Sequence, residues 1–241
     1  MIRGLREILP DNGKAFSSIL ISLKTRNFRL YFTGMCVSLT GTWMQQVAMS
    51  WLVYRLTGSV FLLATVTFMA QIPILLVTPL MSVFVDRFDR QKILILTQSL
   101  SMVQALSMAA LTLSGVIEVW HILILSLLIG CINALDNPTR QAFYPSLVAK
   151  EHLSNAIALN SAVINGSRLI GPAIGGVLIG IFGEGLCFLL NGISYLGVII
   201  ALFLMRLSPF PVQHRRQNVL KIYKKVSPMC PVTFPYGPCC C

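Results

Sequence analysis

Arg168 stands in an otherwise charge-free stretch from about Ser161 to Phe182. A charge in an apolar run is the first place to look for chemistry, because placing it there costs about 2.5–3.5 kcal/mol on insertion scales. Its guanidinium either faces a cavity or a partner, or snorkels to the interface. Asp136 closes a second apolar stretch, Val119 to Leu135, in the run Asp136-Asn137-Pro138, which is expected to end or kink a helix. A carboxylate there can carry a proton, although a helix-end aspartate beside a basic loop, here Arg140, is more often an anchor. Gln45 and Gln46 lie with Thr42 and Met49 at helical spacing, with Trp43 and Trp51 on neighbouring faces. Two adjacent glutamines cannot both face lipid cheaply, so they line an aqueous cavity or hydrogen-bond between helices. The loop Asp86-Arg87-Phe88-Asp89-Arg90-Gln91-Lys92 holds the densest charge. Asp86 there can pair with Arg90 or Arg140 in one conformation and release in another, which makes a gate; a plain basic anchor is the other reading.

Enzymatic chemistry has no comparable set. Gly192-Ile193-Ser194-Tyr195 offers a serine, but the histidines are His121, His152 and His214 and none falls in a later span, so no base stands by. Walker, G-x-G-x-x-G and H-E-x-x-H patterns are missing from the sequence. The seven cysteines lack paired C-x-x-C spacing, and an odd number implies no disulfide framework. No enzyme activity, metal or cofactor is expected.

The elements that must position these residues are long apolar helices. Of 241 residues 55% are hydrophobic and 11% charged, with a mean hydropathy of +0.75, far from the usual soluble balance. Charge-free stretches run from Leu30 to Tyr54, Leu56 to Val85, Ile93 to Ile117, Val119 to Leu135 and Gly185 to Met205, and the stretch around Arg168 makes a sixth. Each approaches or exceeds the roughly 20 residues a spanning helix needs, and all are too long and continuous for barrel strands. The predicted fold is an all-α membrane protein with six transmembrane helices.

The net charge of +11 reports orientation. Seventeen of the 19 basic residues fall before the first span, in the loops after the second and fourth, and after the sixth; Arg55 alone lies opposite, and Arg168 is inside a span. Positive residues stay cytoplasmic during insertion, so both termini are expected inside. No nucleic-acid partner is expected. The chain divides into a cytoplasmic segment 1–27, a membrane domain 28–206 and a basic, then Pro/Cys-rich cytoplasmic tail 207–241. In that tail Pro228, Pro231, Pro235, Pro238 and four cysteines break the helical pattern, which reads as a frameshifted or truncated end.

Two further stretches complete the pattern. Gly171-Pro172-Ala173-Ile174-Gly175-Gly176 puts a proline and close-approach glycines in the fifth span, serving plain helix packing or an interface that changes during transport. Asp136-Asn137-Pro138-Thr139-Arg140-Gln141-Ala142-Phe143 follows the fourth. With Asp86-Arg87-Phe88-Asp89-Arg90 these resemble, in order, motifs of the N-terminal half of the major facilitator superfamily, closest to exporters grouped with the enterobactin exporter and macrolide efflux proteins. Ser82, Phe84, Val85 and Asp89 depart from the family's loop pattern, and Ser167 stands where a further glycine is usual.

The resemblance implies two inverted three-helix repeats forming half of a twelve-helix fold, with substrate between the halves. It implies secondary transport in a bacterial inner membrane: efflux of small molecules such as siderophores or drugs, by antiport with protons. Asp86, Arg87, Arg90 and Arg140 would form the cytoplasmic gate, and Gln45, Gln46, Asp136 and Arg168 the substrate and coupling cavity. Gly171, Pro172, Gly175 and Gly176 would be the antiporter-like motif. The partner would be the missing C-terminal half or a second copy, and a complete homodimeric six-helix transporter or a non-transporting scaffold are the alternatives.

Overall fold

The computed structural model describes residues 25–85, 88–148 and 150–205. Asp86, Arg87, the segment before Thr25 and the tail beyond Met205 lie outside them. Among the described residues six long helices follow one another: α1 Arg26–Thr57, α2 Val60–Val85, α3 Arg90–Leu113, α4 Val119–Phe143, α5 Leu153–Phe182 and α6 Glu184–Leu204. Five of them, α2 to α6, are long and apolar enough to cross a membrane. α1 is the longest at 32 residues, but its apolar run is diluted by Ser38, Thr40, Thr42, Gln45, Gln46 and Ser50.

Local signals set the helix ends. Gly58, at φ 61°, closes α1 in the left-handed conformation that glycine adopts without strain, and its N–H donates to the Tyr54 carbonyl at 2.7 Å. Asp89 caps α3 by accepting from the Gln91 N–H at 3.0 Å. Glu118 and His121 form a reciprocal capping box at the start of α4.

Two boundaries differ from the sequence reading. α4 runs through Pro138 to Phe143, so Asp136 is inside a helix and not at its end. Neighbouring helices and side chains can satisfy the backbone that a proline frees, which is why membrane helices tolerate one. α5 begins at Leu153, because Ala156, Ile157, Ala158 and Leu159 carry the apolar helical pattern upstream of Ser161. Arg168 is therefore the sixteenth of 30 residues, at mid-helix.

α1 packs along α5 and α6, α4 along α2 and α3, and α3 along α6. Exchanging α1 with α4, α2 with α5 and α3 with α6 maps this set of contacts onto itself. The paired helices also start at nearly constant offsets: 26 and 119, 60 and 153, 90 and 184. Glycines allow the tight pairs. A Cβ on Gly171 would lie 2.7 Å from the Trp43 Cβ and 2.8 Å from the Thr40 carbonyl oxygen, and one on Gly130 would lie 2.5 Å from the Ala70 carbonyl oxygen.

Two apolar clusters fill the bundle, one around Tyr31, Leu94, Phe143 and Leu202, the other around Leu52, Met108, Ile122 and Phe188. The outside is as apolar as the inside: Phe61, Phe68, Leu75, Leu80, Leu169, Val177 and Ile181 are all exposed. Apolar surface of that extent is stable in lipid or against other helices and not in water. This is a multi-pass membrane protein.

Candidate functional site

The expected cavity residues separate into three places. Asp136 is buried between α4 and α3. Its Oδ1 accepts from the Thr97 hydroxyl at 2.6 Å and from Gln98 Nε2 at 3.0 Å. Its Oδ2 accepts from Arg140, whose Nε is 3.1 Å away and whose Nη2 closes a second contact. The helix places Arg140 four residues on, one turn away on the same face. Arg140 Nη1 also reaches the Met35 sulfur at 3.0 Å, tying the pair to α1. Four donors on one carboxylate are what a charge needs when it is withdrawn from water. The sequence reading missed Thr97 and Gln98, and their only signal was polarity within an apolar run.

Gln45 is buried as well, turned into the bundle. It donates to Gln104 Oε1 at 3.3 Å and accepts from Asn191 Nδ2 at 2.6 Å, and Gln104 continues to the Leu125 carbonyl at 3.3 Å. One amide chain thus joins α1, α3, α4 and α6. Of the two readings for Gln45, the bond between helices is the geometry observed. Asn191 of α6 reaches α1 as Gln98 of α3 reaches α4, 93 positions apart (98 and 191), in keeping with the symmetric packing.

Gln46 and Arg168 come together. They are exposed and line, with Trp43, Val47, Ser50 and Pro172, an open groove of about 340 Å³ between α1 and α5. The close approach at Gly171 and Gly175, whose added Cβ would be 3.2 Å from Met44, brings the two helices together beneath it. The hydroxyls of buried Ser167 and half-buried Thr40, 3.2 Å apart, fasten the same contact. The Arg168 guanidinium carbon then sits 5.1 Å from the centroid of the Trp43 ring, a cation–π distance. Gly176 has nothing within 4 Å of an added Cβ, so the motif divides. Gly171 and Gly175 hold α1, while Gly176 faces outward.

Of the expected gate, Asp86 and Arg87 lie outside the described residues. Arg90 is the first residue of α3, not a loop residue, and donates from Nη1 to the Ala142 carbonyl at 2.9 Å. It therefore ties the start of α3 to the end of α4, while Gln91 Nε2 ties it to α6 through the Leu202 carbonyl at 2.6 Å. On the opposite end, Arg55 pairs with the buried Glu184 at 3.1 Å, joining α1 to α6.

A bundle of long apolar helices with polar side chains turned into it is the construction of a multi-pass membrane protein. Residues 17–223 match the family described as transmembrane secretion effector, and the chain belongs to this family of the major facilitator superfamily. It is 29% identical over 197 residues to the staphyloferrin A transporter of Staphylococcus aureus, a match covering 80% of this chain and 50% of that one. It is 26% identical over 185 residues to macrolide efflux protein A of Streptococcus pyogenes, covering 74% and 44%. The multidrug efflux pump Tap of Mycolicibacterium fortuitum shares 26% over 143 residues, covering 57% and 35%. The chain spans about half the length of the curated relatives it matches. No solved structure matches it significantly.

Proposed function

We propose that the chain is one six-helix unit of a secondary exporter of small molecules in a bacterial inner membrane, working across a pH gradient. The observation that carries this is the groove at the middle of α1 and α5, where Gln46, Ser50 and Arg168 present polar groups on a face flanked by exposed apolar residues. Polar groups at mid-helix are costly against lipid and serve where water or a substrate meets them. The relatives named as a staphyloferrin A transporter, a macrolide efflux protein and a multidrug efflux pump support a small organic substrate. α1 to α3 and α4 to α6 are read as two inverted repeats, supported by the symmetric packing and the constant offsets. A second such unit, supplied by further chain or by another copy, would close the other side of the groove. Asp136 is the buried carboxylate proposed to exchange protons. Arg90, Arg140, Asp86 and Arg87 are proposed for the cytoplasmic end, where opening would separate α3 from α4.

The test is reconstitution of the chain in liposomes with an imposed pH gradient, following efflux of siderophore-like and macrolide-like compounds. Flux that collapses with the gradient and with Asp136→Asn is expected. No flux of any compound from vesicles that hold the chain together with a second six-helix unit would overturn the reading.

Six crossings with both ends cytoplasmic are part of the same proposal. Reporter fusions after Arg55, Gly115 and Gly183 are expected to read outside, and those after Arg90 and Lys150 inside. A swapped pattern at two or more of these sites contradicts it.

A further inference from the structure

We propose that Trp43 and Arg168 together form the recognition site for an organic anion with a planar body, the guanidinium taking the anionic group and the indole face the body. The proposal deepens the transporter reading and rests on it for the groove being open to substrate.

Arg168 is set apart from Asp136, Arg140 and Arg55. Asp136 and Arg140 neutralise each other, and Arg55 at the end of α1 pairs with Glu184. Among the described residues Arg168 has neither a carboxylate nor a hydrogen-bond acceptor, and the Trp43 ring is its contact. A guanidinium carries five N–H donors. The ring face covers one side of it, and its N–H groups are left for an anionic group that enters the groove.

Both groups lie at mid-helix. Arg168 has 15 residues of α5 before it and 14 after it (153 to 168, 168 to 182). Trp43 is likewise central, the eighteenth of 32 residues in α1.

The rest of the groove describes the remainder of the ligand. Trp43, Val47 and Pro172 give apolar walls, while Gln46 and Ser50 give neutral polar groups. Among the described residues no carboxylate lines it, so a cationic ligand finds nothing there to pair with and meets Arg168. A volume of about 340 Å³ accommodates a ring system carrying one anionic substituent. Because the guanidinium is already at the ring face, an anion drawn to it arrives beside the indole, and a planar group attached to that anion can stack there.

The same chemistry could come from a lipid phosphate, and the experiment separates the two sources. The chain is purified with Trp51→Phe and Trp120→Phe, which leaves Trp43 as its one indole. Quenching of its fluorescence is titrated with benzoate, neutral benzamide and cationic benzamidinium, in dodecyl maltoside and in phosphatidylcholine nanodiscs. Saturable quenching by benzoate is expected, at least tenfold tighter than by the other two and equal in both media. Arg168→Gln is expected to weaken it at least tenfold, with Arg168→Lys restoring part of the loss. In the parent chain Trp43→Leu, followed by radiolabelled benzoate, is expected to lose the preference for benzoate over cyclohexanecarboxylate.

Equal binding of the three probes, or an unchanged Arg168→Gln, overturns the proposal. Binding in detergent that disappears in phospholipid also overturns it, since a headgroup phosphate then owns the site. Benzoate binding without gradient-driven flux, in vesicles that also hold a second six-helix unit, leaves the site standing and removes the transporter reading. Flux that Arg168→Gln and Trp43→Leu leave untouched removes the site and leaves the transporter.

Discussion

Asp136→Ala is expected to destabilise the bundle by about 3–5 kcal/mol, the cost of breaking a buried ion pair by removing one partner. The Asp136 side chain is 5% exposed and that of Arg140 is 16% exposed, so the arginine left behind is poorly placed to recover its hydration. Thr97 and Gln98 lose their acceptor at the same time. Gln98 Oε1 already lacks a partner, so this amide would have neither end satisfied by the site. Arg140→Met leaves the carboxylate with its two neutral donors and is expected to cost less. The double change Asp136→Ala with Arg140→Met removes both charges and is expected to be less damaging than Asp136→Ala alone, because no uncompensated charge remains. Asp136→Asn keeps an acceptor for Thr97 and Gln98 and should fall between. Reversible unfolding in mixed micelles, arranged as a double-mutant cycle, gives the coupling between the pair. Additive single effects would mean that the two side chains stand together without depending on each other.

How much of this was legible beforehand depends on whether a feature is local. The length of the apolar stretches gave the helices; the caps at Gly58 and Asp89 are local contests as well, but the sequence reading did not use them. The end of α4 was misread because Pro138 looks like a stop signal. In a bundle the freed backbone can find other partners, so the helix runs on and carries Arg140 onto the same face as Asp136. The start of α5 was misread because the polar residues Ser154, Asn155 and Asn160 interrupt the apolar run, whereas the helix passes through all three. This moved Arg168 from the eighth residue of the stretch (161 to 168) to the sixteenth of the helix (153 to 168).

Partners across the bundle were not legible at all. Nothing in the run around Gln45 says that it meets Gln104 and Asn191 while its neighbour Gln46 faces the groove. Only the rotation of α1 against α3 and α6 decides that, and the rotation is set by all the packing contacts together. Glycines behaved likewise: Gly171 and Gly175 are four apart and share a face, which the spacing shows, but that α1 is the helix against them is a tertiary fact.

Transport by this 241-residue chain is expected to depend on two six-helix units meeting around the groove. Alternating access in this architecture is the rocking of one unit against another about a central site. A single unit has Gln46, Ser50 and Arg168 on an open face, and in a bilayer that face meets lipid. For Arg168 the mismatch is the several kcal/mol argued above, enough to favour covering the groove whenever a second unit is near. α2 and α5 offer the surface for it, since Phe61, Phe68, Leu75, Leu169 and Val177 are exposed alongside the outward-facing Gly176. In liposomes the prediction takes a kinetic form. If two copies must associate, flux per vesicle rises with the square of the protein-to-lipid ratio while dimers are scarce, and falls towards zero once vesicles hold one copy each. A tandem fusion of two copies removes that dependence and restores first-order scaling. Flux strictly proportional to the amount of single chain, down to one copy per vesicle, would show that one unit suffices and that the groove is sealed from lipid by means other than a second bundle.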